Sequence, residues 1–307
     1  MMKIVLIILQ LFLFMALAPF FSGLITKIKN NLRMRKGQSV LQPYYNMAKL
    51  FSKDEVVSKT ASWIFRVAPF IVVSSALVAS LLVPCFMAPG PAQYMGDFIA
   101  LIFILALGRF FMALAALDAG SAFGGMGSSR EMFISSLVEP TMCLAVFAIG
   151  LQFGSTNVAV FSGIHPVSAS SIAAAITLFF VMIAETSRIP VDNQETHLEL
   201  TMIHEAMVLE YSGRSLALIE MASYVKQMIW FFLIAQIIFP IAAPCLGSPV
   251  NFIFWILWYS ARLVIIAMVV ALVEVSVAKM RLFRVTDFLG FAFILGIVAV
   301  VCAILGV

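Results

Sequence analysis

Charge is scarce in this chain. Only 11% of its 307 residues are Asp, Glu, Lys or Arg, while 63% are hydrophobic. Soluble domains carry about 25% charged and about 45–50% apolar residues. With a mean hydropathy of +1.08, too little polar surface exists to cover a water-soluble particle. A soluble enzyme, a disordered chain and a nucleic-acid binder are excluded together. The chain reads as an all-α integral membrane protein in the bilayer. Cysteine and histidine are also few: Cys85, Cys143, Cys245 and Cys302 stand far apart, and His165, His197 and His204 form no pair suited to haem. Without CxxC or a Cys/His cluster, no iron–sulfur, zinc or nickel site is expected on this chain. Any cofactors of a redox process it serves would sit in other subunits.

What the sequence does have is long apolar runs. A bilayer core of about 30 Å takes roughly 20 residues of helix, and only helices satisfy their own backbone there. Eight spans are expected, at about 4–25, 67–88, 98–117, 132–151, 167–184, 218–243, 252–275 and 288–307. The first is too long for a signal-peptide core and lacks a clear cleavage site, so it reads as a span. No internal duplication is visible, which counts against a transporter built of repeats. The chain is treated as one membrane domain.

The basic residues alternate between loops. Lys27, Lys29, Arg33, Arg35, Lys36, Lys49, Lys53, Lys59 and Arg66 fall between the first two spans. Arg130 follows the third, Arg188, Arg214 and Lys226 the fifth, and Lys279, Arg281 and Arg284 the seventh; the other loops have no Lys or Arg. The positive-inside rule then places loops 26–66, 118–131, 185–217 and 276–287 in the cytoplasm and both termini outside. The protein is expected in the cytoplasmic (inner) membrane.

Within the first long loop, residues 41–51 are amphipathic. Tyr44, Met47, Ala48 and Phe51 recur at helical spacing, as for a short helix at the headgroups or under a partner. Loop 185–217 is unusual. Glu185, Asp192, Glu195, Glu199, Glu205 and Glu210, with Glu220 just beyond, make up nearly half of the chain's 15 acids. Apolar residues are interleaved with them, so the loop is expected to fold back on the protein. Carboxylates packed together would have pKa values raised by desolvation and mutual repulsion. Charges also lie within or beside the spans: Arg109, Asp118, Arg130, Glu131, Glu139 (followed by Pro140), Arg262 and Glu274. A charge at membrane depth costs from about 2.5 kcal/mol upward and marks an ion path or a pairing partner. From the residues alone, a free-standing ion transporter and a passive anchor remain open beside a coupling subunit.

The run Ala184-Glu185-Thr186-Ser187-Arg188-Ile189-Pro190-Val191-Asp192, then Glu195, Glu199-Leu200 and Glu210-Tyr211-Ser212-Gly213, closely resembles one membrane-subunit family. It is the eight-helix subunit that joins the membrane and hydrophilic arms of respiratory complex I. Homologues anchor energy-converting nickel–iron hydrogenases and formate hydrogenlyases. Gly127-Ser128-Ser129-Arg130-Glu131…Glu139-Pro140 and the first loop's Leu-Gln-Pro…Lys-Leu-Phe fit the same family, although Gln38 follows Gly37 where Pro is common. His197, standing where the quinone-reducing branch usually has an acid, and the longer run from His197 through His204 to Glu210 look like the hydrogenase branch.

The resemblance implies a membrane anchor and coupling subunit of a formate hydrogenlyase-like complex; the alternative is the quinone-site subunit of a complex I-like oxidoreductase. It implies hydrogenase large and small subunits, ferredoxin-like subunits and antiporter-like membrane subunits as partners, holding the Fe–S clusters and the nickel–iron site. Arg35, Lys36, Gly37 and Lys49 would help to dock the soluble arm. The proton (or sodium) path would use Glu139, Glu185, Asp192, Glu195, Glu199, Glu205, Glu210 and His204. Arg109, Asp118, Arg130, Glu131, Arg188, Arg262 and Glu274 would be ion-pair or pathway partners.

Overall fold

A computed structural model describes residues 2–58, 60–83, 96–158, 167–193, 202–240 and 249–306, without the side chains of 2–6 and 249–256. Glu195, His197 and Glu199 lie outside the described residues. Among the described residues ten helices follow one another: α1 Met2–Leu32, α2 Gln42–Phe51, α3 Trp63–Leu82, α4 Phe98–Asp118, α5 Ala122–Phe153, α6 Ala169–Glu185, α7 His204–Val208, α8 Gly213–Ile238, α9 Pro249–Ser276 and α10 Leu282–Leu305. Seven of them are long and apolar enough to cross a membrane. The eighth helix expected to span, α6, has 17 residues and falls just short in length.

The apolar pattern is that of a membrane bundle. Phe12, Phe70, Phe103, Ile294 and Ile304 face outward, where lipid replaces water as their solvent. α8 is the central helix, with α1, α2, α3, α6 and α9 packed around it. Its Trp230, Phe231 and Phe232 are fully buried. α4 joins α3 to α5, and α10 covers α5 and α6. Small buried residues on α6 (Ser170, Ser171, Ala174, Ala175) allow this close approach.

At the end carrying the long loops, the helices outrun their apolar stretches. Most of the segment expected as loop 118–131, with Gly124, Gly125 and Gly127, is instead the start of α5. Ser121 caps it, accepting a hydrogen bond from the Gly124 N–H at 3.1 Å. Glycine is tolerated because space demands it: a Cβ on Gly127 would stand 2.9 Å from the Ala206 Cβ and 3.0 Å from the Ile203 carbonyl oxygen. Arg130 and Glu131 are thus helical, not loop, residues.

α2 forms in the first long loop, with Pro43 in its first turn. Its buried face differs from the one expected. Met47 is buried, Tyr44 and Leu50 are half-buried, while Ala48 and Phe51 point outward. Packing against α1 and α8 selects this face, and the Tyr44 hydroxyl donates to the Ala16 carbonyl of α1. α1 itself ends in a turn at Met34, with the Arg35 N–H on the Asn30 carbonyl at 2.9 Å.

The two long loops are stitched together. Ser212 Oγ accepts from the Val56 N–H at 2.9 Å and donates to the Val56 carbonyl at 3.1 Å. Gly213 next to it has φ +53°, and an added Cβ would lie 2.5 Å from the Asp54 carbonyl oxygen. Gly213→Ala should therefore destabilise the protein by about 2 kcal/mol, seen as a lower thermal midpoint in detergent; an unchanged midpoint would show that the stitch yields without cost.

Candidate functional site

The site is built from charges on helices that the sequence keeps far apart. Arg109 lies about halfway along α4, where its guanidinium is buried. It donates to Glu185 at the end of α6, to Glu139 Oε1 on α5 at 2.8 Å and to Ser135 Oγ at 3.3 Å. Lys226 Nζ on α8 approaches the second Glu185 oxygen at 3.4 Å. One buried carboxylate therefore faces two cations, and one guanidinium is shared by two carboxylates. The Glu139 side chain is 45% exposed on the outer wall of the chain.

A second group lies on the α1 and α9 side. Arg188 reaches Glu274 Oε1 at 2.6 Å and Gln227 Oε1 at 2.7 Å, and Lys29 Nζ meets the other Glu274 oxygen at 3.2 Å. Gln227 adjoins Lys226 in α8, so the two groups border one another through that helix. Asp192 forms the third group. Its carboxylate accepts from Lys279 Nζ at 2.7 Å and from the backbone N–H groups of Ile203 and His204 at 3.0 and 3.2 Å. It thereby holds the chain where α7 begins.

The expectation that the acids crowd one another holds for Glu205 and Glu220, which lie close enough to repel, and is corrected for the buried acids. Glu185, Asp192 and Glu274 each meet cations from other parts of the fold, because a buried charge without an opposite partner costs several kcal/mol. Glu205 is half-buried and Glu210 is exposed. His204 lines a cavity of about 40 Å³ with Arg109, Lys226, Ser75 and Ser223. Its Nδ1 is buried without a hydrogen-bond partner among the described residues. A second cavity, of about 150 Å³, is floored by Lys29, Arg188, Asp192 and Glu274 and opens beside Gln38. Polar cavities of that size hold water.

The remaining predicted ion-pair or pathway residues have structural partners, with one exception. Asp118 Oδ2 accepts from the Ser62 and Phe65 N–H groups and so caps α3. Arg130 donates to the Met202 carbonyl at 2.8 Å. Arg262 donates to the Phe239 carbonyl at 2.7 Å and lies 4.4 Å from the centre of the Tyr259 ring; it meets no carboxylate among the described residues. The exception is Glu131, which is buried but pairs with no cation among them. Arg35, Lys36 and Lys49 are exposed. Lys27, Asn31, Met34, Arg35, Lys36 and Gly37 line an open groove. Close to Asp118, Tyr211 stacks on Phe65 at 4.0 Å and donates to its carbonyl. Burial, with Asp118 and Glu55 nearby, pushes the Tyr211 phenol above its ordinary range, so it stays a donor.

Sequence reasoning missed Lys29, Lys226, Lys279, Gln227 and Ser135 as partners. A signal existed for Lys29: Ser22, Thr26 and Lys29 form a polar stripe along one face of an otherwise apolar α1. For Lys226 and Lys279 there was none, since both sit where positive loop residues are ordinary.

Comparison with known proteins bears on this arrangement. A family described as NADH dehydrogenase matches residues 2–305. Hydrogenase-4 component C of Escherichia coli (strain K12) is 34% identical over 235 residues, covering 75% of this chain and 74% of that protein. Formate hydrogenlyase subunit 4 of the same organism is 29% identical, covering 90% of each. A subunit of the NADH-quinone oxidoreductase of Rhodospirillum rubrum is 27% identical over 83% of this chain and 78% of its own length. The hydrogenase branch is the nearer of the two. The fold matches a chain of the membrane-bound sulfane sulfur reductase, an archaeal respiratory membrane complex, with a TM-score of 0.84 at 16% identity, covering 99% of this chain and 100% of that one.

Replacing Arg109 tests the shared guanidinium. Arg109→Ala leaves Glu185 and Glu139 without it, and should cost about 3–5 kcal/mol. Thermal unfolding in detergent measures this; Arg109→Ala with Glu185→Gln should recover part of the loss, and a single variant as stable as the parent would show the pairing to be slack.

Proposed function

Because this chain belongs to the NADH dehydrogenase family, we propose that it is the membrane anchor and coupling subunit of a formate hydrogenlyase- or energy-converting hydrogenase-like complex. The observation that carries the reading is the chain Lys226–Glu185–Arg109–Glu139, which runs from central α8 to the outer wall of α5. A carboxylate exposed at membrane depth costs about 2.5 kcal/mol or more, so Glu139 calls for cover by a neighbouring membrane subunit. An antiporter-like subunit that continues the proton path would supply it.

The basic loops place the end with α2 and α7 in the cytoplasm and both termini outside. There the groove around Arg35, Lys36 and Gly37, together with Lys49 on α2, receives the soluble arm: hydrogenase large and small subunits with ferredoxin-like subunits. Those subunits hold the nickel–iron site and Fe–S clusters, and this chain holds none. α7 is the lever between the arm and the charges. It packs on α4 and α5, and Asp192 grips the two N–H groups at its start. Electron transfer in the arm shifts α7. The shift disturbs the Asp192–Lys279 pair and the small cavity lined by His204, Arg109 and Lys226.

Glu185 then takes a proton, with His204, Glu205 and Glu210 on the side from which it comes. A neutral Glu185 releases Arg109 toward Glu139, and the next charge movement follows outward. Arg188 and Glu274, held by Lys29 and Gln227, keep the α6 end in place while this happens. The same scaffold would serve a quinone reductase; the nearer likeness to hydrogenase-4 component C favours the hydrogenase assignment.

The test uses the intact complex in sealed vesicles. Glu185→Gln and Glu139→Gln should each lower the protons moved per turnover of the soluble arm by about tenfold or more. If both variants move protons at the parental ratio, these carboxylates do not couple, and the chain is a passive anchor.

A further inference from the structure

Two buried nitrogens on the walls of one cavity have no hydrogen-bond partner among the described residues: Nδ1 of His204 and Nε of Arg109. Both residues line the cavity of about 40 Å³ between α3, α4, α7 and α8, where Ser75, Ser223 and Lys226 add further polar groups. A water molecule needs about 10–15 Å³ and two to four polar partners, and this cavity offers both. A water there can accept from the Arg109 Nε–H and donate to the His204 Nδ1, which answers the two nitrogens at once.

The cavity adjoins a carboxylate that has no other approach from water. Its two lining cations are the pair that hold Glu185: Arg109 donates to one carboxylate oxygen, and Lys226 Nζ stands 3.4 Å from the other. Glu185 is only 5% exposed, so a proton reaches it through the interior. His204 lies close enough for its charge to act on that carboxylate. Imidazole is the side chain that takes up and gives up protons near neutral pH, and His204 is the one imidazole on these walls. A packing role alone would be met by an apolar side chain, as it is by Ala206 and Met207 on the same short helix. Asp192 accepts from the His204 backbone N–H at 3.2 Å, so a shift of α7 against Asp192 carries the imidazole with it.

We propose that His204 is the proton carrier for Glu185, loading outside this cavity and unloading into it. This rests on the coupling function above and names the donor that it leaves open. With α7 displaced, Nδ1 takes a proton from solution and the ring becomes imidazolium. With α7 seated, that cation faces Arg109 and Lys226, and repulsion by like charges drives the proton off Nδ1. The proton joins the cavity water, which gives one of its own hydrogens to a Glu185 oxygen. The imidazole is then neutral again and the water unchanged. The Glu185 carboxylate has become a carboxyl, and no electrons have moved.

His204→Asn keeps a polar atom near the place of Nδ1 but cannot exchange a proton; His204→Asp has the same shape and can. In the intact complex in sealed vesicles, His204→Asn should lower the protons moved per turnover of the soluble arm by about tenfold or more. His204→Asp should restore part of the ratio. Equal losses in the two would mark His204 as structural and overturn the proposal. Ala222→Val, which fills the cavity without changing an ionisable group, should lower the ratio as well. A parental ratio in His204→Asn, with a lowered one in Glu185→Gln, would overturn the carrier and leave coupling standing. Parental ratios in His204→Asn, Glu185→Gln and Glu139→Gln alike would remove both. If His204→Asn does not assemble, Ala222→Val decides: a parental ratio there overturns transfer through the cavity.

Discussion

A single buried guanidinium organises the interior. Arg109 is anchored on α4 yet bonded to α5 and α6, so three helices share one charge. In a medium of low dielectric an unpaired charge is prohibitive, while a paired one is directional and short-ranged. The position of each helix about its own axis is thereby constrained. The same logic repeats at Glu274, which ties α1 and α9 to Arg188, and at Asp192, which ties Lys279 to the start of α7. Apolar packing holds the bundle together, but packing between lipid-like surfaces is tolerant of rotation. The ion pairs are what make one arrangement preferred.

Such a network suits coupling better than a crowded acidic loop would. Acids that repel one another respond to a local potential, but they have nothing to exchange. In the proposed coupling, a proton taken up by a carboxylate would free a cation for the next carboxylate. Glu185 with two cations and Arg109 with two carboxylates are the simplest form of that exchange. The proposed lever, α7, is a single short turn, held by Asp192 at its start and wedged against Gly127 along its side.

Much of this was legible in the residues. Arg109, Glu139 and Glu274 stood out because a charge in an apolar run is expensive and so rarely accidental, and Glu185 as the first acid of loop 185–217. The amphipathic helix at 41–51 was legible from spacing, but its buried face was not. Tyr44 and Met47 turn inward because α1 and α8 lie on that side, and nothing local distinguishes this from a face with Ala48 and Phe51. The start of α5 was hidden for a similar reason. Glycine is a poor helix former, and only the approach of Ile203 and Ala206 explains why Gly127 belongs in a helix. Lys226 and Lys279 were read as topology markers, since a lysine in a basic loop carries no sign of the acid it meets.

By itself the sequence determined that the chain lives in a membrane, which stretches are helical there, and which charges must be sheltered from lipid. These follow from transfer free energies, which depend on composition and on neighbours along the chain. The tertiary structure decided which acid meets which base and, among the described residues, left Glu131 with none. Arg109 and Glu185 are 76 residues apart. Whether they touch depends on how two helices are turned and shifted against a third, and that is set by the sum of many weak contacts across the whole bundle.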